Sequence, residues 1–96
     1  MLTISRHANQ RGVSRLGFQR TRASHKLKWL CRSGQPVAGT SLPDWFKPIP
    51  SRYAPDTRFV KAIYAGIEII LVIVRMALDE VLVTVITNAD ADNDTM

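Results

Sequence analysis

Apolar positions change their period along this 96-residue chain, and the change marks two kinds of structure. Val13, Leu16, Ala23, Leu27 and Leu30 recur at spacings of three, four and seven, the pattern of one buried helix side. Arg20 falls where that stripe should continue, and Gly17 weakens its first turn. From Arg58 onward the pattern is that of strands. Arg58 to Tyr64, Ile67 to Val74 and Val81 to Thr87 are rich in Val, Ile, Phe, Tyr and Thr, with breaks at Ala65-Gly66 and at Met76 to Glu80. Breaks that short cannot hold a crossover helix, so the three runs predict an antiparallel meander. The middle run is apolar on both pleat faces, Ile67, Ile69, Leu71 and Ile73 on one and Ile70, Val72 and Val74 on the other. It reads as a central strand covered on both sides.

Turn and cap residues set the remaining expectations. Met1 to Ser5 predicts a short strand or an ordered lead-in, and His7 to Gln10 the start of a short helix ended by Gly12. Ser14 offers an N-cap for a helix running to Ser33 and stopped by Gly34. Two shorter helices, the second capped by Ser24 and running to Arg32, fit equally well. All five prolines lie between Pro36 and Pro55, so residues 34–57 predict a long irregular connection. Leu42, Trp45, Phe46, Ile49 and Tyr53 give it enough apolar bulk to pack across the domain. The fold class expected is α+β, with N-terminal helices packed on a three- to four-stranded antiparallel β-meander. Residues 1–88 form that single domain, and residues 89–96 form an acidic flexible tail. With one helical layer, the second sheet face must meet the proline-rich segment or another chain, which makes a homodimer one expectation.

Charge adds a partner class. The first 43 residues carry eight Lys or Arg, both histidines and no Asp or Glu, whereas Ile67 to Met96 holds six carboxylates against Arg75 alone. The net charge of +5 is therefore concentrated on the helical half. Such a face suits a polyanion, RNA above all, through phosphate contacts and counterion release. The run Ala62 to Val74 contains Glu68 and falls short of the ~20 residues that span a bilayer. No membrane is expected, and the location expected is cytoplasmic. An alternative treats Arg6 to Arg32, basic and without acids, as a mitochondrial presequence. Its removal would leave about 60 residues with a poor core. Cys31, the one cysteine, excludes an internal disulfide and a cysteine-based zinc site, and reads as a packing residue. No metal or cofactor is expected.

Several residues could carry chemistry. A helix would place His7 and Arg11 on one face. An imidazole can move a proton at an RNA 2′-hydroxyl or a leaving oxygen, and a guanidinium can hold phosphate oxygens. Against this, His7 could simply pack a helix end with Arg11 in water. His25 sits among cations in His25-Lys26-Leu27-Lys28-Trp29 and reads more plainly as a surface residue. Arg15, Arg20, Arg22, Lys26, Lys28 and Arg32 make a basic stripe, to which Arg58 adds a phosphate clamp. Trp29 could stack on a base, although an aromatic in such a helix is usually core. Thr84 and Thr87 point to opposite faces of a strand, so one hydroxyl could reach a phosphate oxygen; threonine is also an ordinary strand residue. Asp90-Ala91-Asp92-Asn93-Asp94 lacks the Gly and the Glu of a calcium loop.

Ser5-Arg6-His7-Ala8, Arg11-Gly12-Val13-Ser14 and the strand Val83-Thr84-Val85-Ile86-Thr87 together resemble a bacterial family of small domains grouped with the RelE/BrnT-like toxin ribonucleases. The resemblance covers about ten residues at the front and about thirty at the back. It implies a toxin-like, metal-independent endoribonuclease acting on RNA phosphodiesters by general acid/base chemistry. His7 and Arg11 would be its site residues on the first helix, with Thr84 or Thr87 on the last strand, and a cognate acidic antitoxin its partner. The alternative is a noncatalytic module that binds nucleic acid or protein through the basic helical face.

Overall fold

The computed structural model describes residues 1–37, 42–47, 53 and 55–88. Its elements are β1 (Leu2–Ile4), α1 (Arg6–Leu16), α2 (Ala23–Ser33), β2 (Gln35–Val37), β3 (Thr57–Tyr64), β4 (Ile67–Met76) and β5 (Asp79–Thr87). The fold is α+β, as expected, but the sheet has five strands in the order β1-β5-β4-β3-β2 and is mixed. β3, β4 and β5 pair antiparallel over the runs read from sequence. β2 extends them antiparallel at one edge, and β1 lies parallel to β5 at the other. The three- to four-stranded antiparallel expectation is thereby corrected. β1 is three residues long and pairs with residues nearly eighty positions away, a contact with no local periodic signature. β2 contains Pro36, which an edge strand tolerates because its outward side needs no donor.

The helix boundaries are also corrected. Ser5 caps α1: its Oγ accepts the Ala8 N–H at 3.0 Å and donates to the Val83 carbonyl at 3.2 Å. One hydroxyl thus starts the helix and pins it to β5. Gly12 does not end α1 but lies inside it, where a Cβ would sit 3.1 Å from Leu27 and 3.2 Å from Phe18. The stop comes at Gly17, whose φ of 72° is left-handed, and Phe18 N–H returns to the Gly12 carbonyl at 3.3 Å. Two helices, rather than one long one, follow from this break. α2 ends at Gly34 for a different reason, since its φ of −72° suits any residue. A Cβ there would meet Val60 Cγ1 at 2.5 Å and the Leu30 carbonyl oxygen at 2.8 Å.

Both faces of the sheet are covered by this chain. On one, Ala8, Leu16, Phe18, Leu27, Leu30 and Cys31 pack against Val60, Ile69, Leu71, Ile73, Leu82 and Val85. On the other, Phe46, 1% exposed, seals Ile70, Val72 and Ile86, with Leu42, Trp45, Tyr53 and Phe59 around it. Phe46 and Tyr53 each meet the Phe59 ring edge-on at 5.5 Å. Leu42, Trp45, Phe46 and Tyr53 of the proline-rich connection therefore lie on this face. The acidic tail, residues 89–96, lies outside the described residues.

Candidate functional site

α2 turns Ala23, Leu27, Leu30 and Cys31 toward the sheet, which leaves Arg22, His25, Trp29 and Arg32 exposed along its outer side. Their spacing of three, four and three keeps them on one face, over about 15 Å at 1.5 Å per residue. Trp29 is 58% exposed. It borders a cleft of about 400 Å³ floored by Leu30 and Ala62 and rimmed by Lys61 and Ile63, the latter 66% exposed. Trp29 lies outside the core because the sheet-facing stripe of α2 is filled without it.

Neither helix has an acid in its first turn. α1 instead begins with Arg6, and Arg22 stands at the N-cap of α2, without a side-chain cap bond. Cations there oppose the helix macrodipole, whose positive end favours anions. Among the described residues, Arg6, Arg20, Arg22, Lys28 and Arg32 form no ion pair.

His7 and Arg11 are brought together as their spacing predicts: Arg11 Nε donates to His7 Nε2 at 3.3 Å on the exposed side of α1. Thr84 does not join them. It pairs with Val72, on the face closed by Phe46, so the sheet separates it from α1. Val83 forms a bulge beside it, where Ile73 pairs with Leu82 and Val72 with Thr84. Thr87 falls on the helix-side face and is buried.

The other cations divide into committed and uncommitted groups. Arg15 Nη1 donates to the Val85 carbonyl at 2.6 Å, tying α1 to β5. Lys26 is half-buried, with Nζ 5.3 Å from the Phe18 ring centroid, 5.7 Å from that of Tyr64, and 3.4 Å from the Tyr64 hydroxyl. Arg58 grips Glu80 through Nε at 2.6 Å and Nη2 at 3.1 Å. Those hydrogen bonds raise the Arg58 pKa and lower that of Glu80. Three residues expected on the phosphate path thus already hold protein partners, whereas Arg20, Arg22, Lys28, Trp29 and Arg32 remain available to a ligand.

A second concavity, of about 600 Å³, lies between α1 and the α1–α2 turn and is lined by Arg6, Asn9, Gln10, Val13 and Arg20. Of these, sequence reasoning picked out Arg20 alone. The signal was present, since residues 6, 9, 10 and 13 share a helix face, but the assumed stop at Gly12 hid it. Among the described residues, no three His, Cys, Asp or Glu side chains are grouped as a metal site.

The chain matches no family model, no curated protein and no solved structure. No helix among the described residues is long and apolar enough to cross a membrane.

Proposed function

We propose that this chain binds single-stranded nucleic acid, RNA foremost, along the outer side of α2. The observation that carries the reading is Trp29, held 58% exposed between Arg22 and His25 on one side and Arg32 on the other. An indole plane offers a stacking surface to any base, and flanking cations take the phosphates. Uncompensated charge supports the same partner, because a basic helix layer with no carboxylate is relieved by a bound polyanion.

Fluorescence anisotropy with a labelled single-stranded RNA tests this. Binding should weaken steeply with salt, with a slope of about −0.7 per phosphate neutralised. Trp29→Ala should lower affinity about tenfold, the effect of one lost stack of about 1–3 kcal/mol. Equal affinity for Trp29→Ala and the native chain would sink the proposal.

A second reading, metal-independent RNA cleavage of the toxin type, is favoured by the His7–Arg11 contact. In it Arg11 swings onto the phosphate, freeing His7 Nε2 to take the 2′-hydroxyl proton as the 2′-oxygen bonds to phosphorus; the P–O5′ bond breaks and the 5′-oxygen takes a proton from water. Thr84, across the sheet, has no part in that step. Cleavage of an RNA pool in EDTA, abolished in His7→Ala with binding kept, is the expected sign. Binding without cleavage leaves the stacking surface without a cleavage role.

A further inference from the structure

The concavity bounded by α1 and the α1–α2 turn has the chemistry of an anion site separate from the Trp29 surface. Arg6, Asn9, Gln10 and Val13 present one side of α1 to it, and Arg20 closes it from the turn. Asn9 Nδ2 donates to Ser24 Oγ at 2.8 Å. That bond fixes the amide and joins the wall of the cleft to the first turn of α2. One Asn9 N–H and both N–H groups of Gln10 remain as donors. Among the described residues, neither guanidinium has a hydrogen bond or ion pair and no carboxylate lines the cleft.

Two guanidiniums bordering one hollow repel each other until an anion sits between them. A phosphodiester brings one negative charge, whereas a terminal phosphate brings about −1.5 to −2 and three strong acceptor oxygens. The dianion matches two guanidiniums, each able to hold oxygens in a bidentate fork. A volume of about 600 Å³ exceeds what a phosphate fills, and falls within the range of small-ligand pockets. Val13 supplies an apolar surface for the rest of the molecule.

We infer that this cleft binds a phosphomonoester carrying a nucleoside-sized group, either the end of a nucleic-acid strand or a free nucleotide. The chemistry common to both is the dianionic phosphate. The Trp29 surface is not needed for it.

Calorimetry with the full chain tests the inference, using adenosine 5′-monophosphate and adenosine, and a short oligonucleotide with and without a 5′-phosphate. The phosphorylated member of each pair should bind at least about tenfold tighter, as loss of charge-assisted hydrogen bonds requires. Arg20→Gln and Arg6→Gln should each remove most of that difference, while Lys28→Gln and Trp29→Ala should preserve it. A preference confined to the oligonucleotide pair identifies a strand end as the ligand; an equal preference in the mononucleotide pair identifies a free nucleotide. Two results overturn the proposal: no preference for phosphate in either pair, or a preference lost equally in Lys28→Gln, which would reduce the cleft to diffuse surface charge. Trp29→Ala separates the two readings, since failure of the stacking surface leaves phosphate discrimination intact.

Discussion

At the residue scale, burial decides what Cys31 and Glu80 do. Cys31 is 8% exposed on the sheet-facing side of α2, and burial pushes its thiol up to about 11, against the smaller opposing pull of Arg58. The native chain should resist alkylation near pH 8 and react once denatured. The fold holds this proton more tightly than the unfolded chain does. Stability therefore falls as pH climbs from the ordinary thiol range through 11, by about 3 kcal/mol at most, and Cys31→Ala should lack that component in urea titrations. Glu80 has the opposite sign. The Arg58 hydrogen bonds hold its carboxyl below the usual range, so its contribution is present above that range and is lost as pH falls through the lowered value. The pair is partly exposed, and Glu80→Gln should cost about 0.2–1 kcal/mol at neutral pH and nothing in strong acid. The reading of Cys31 as packing was legible from its place beside Leu30 in a helical stretch. The Arg58–Glu80 grip was not, because it joins β3 to β5 across β4.

At the element scale, two small residues fix where helices begin and end. Ser5 supplies the α1 cap and a bond to β5. Ser5→Ala should lower stability by about 1–2 kcal/mol in chemical denaturation. Gly34 lets α2 pass against β3, and a Cβ would press on the Val60 side chain and on two carbonyl oxygens. Gly34→Ala should destabilise by about 1–3 kcal/mol despite a φ that alanine accepts; a neutral result would show that the helix end can shift. The strands from Thr57 to Thr87 were legible to within two residues, because each is a run of β-branched, aromatic and aliphatic residues bounded by a short break. The helix ends were less legible. Glycine breaks a helix in one setting and permits close packing in another: Gly12 stays helical with Leu27 and Phe18 beside it, whereas Gly17 turns left-handed with open space around it.

At the scale of the whole molecule, the second core rests on Phe46. Phe46→Ala should cost about 3–5 kcal/mol, a large part of the 5–15 kcal/mol typical of such domains, and should expose the apolar face to a hydrophobic dye. A loss under about 1 kcal/mol would mean that another residue closes that face. Sequence alone determined the α+β class, the three central strands, the need to cover both sheet faces and the separation of charge, since each follows from local composition and period. The tertiary structure decided the rest. It placed β1 beside β5, put Thr84 behind the sheet from His7, and satisfied Arg15, Lys26 and Arg58 with Val85, Tyr64 and Glu80. It also turned Trp29 outward and set Arg20 opposite Arg6. Which cation is free for a ligand depends on partners far away in the chain, and local pattern carries no record of them.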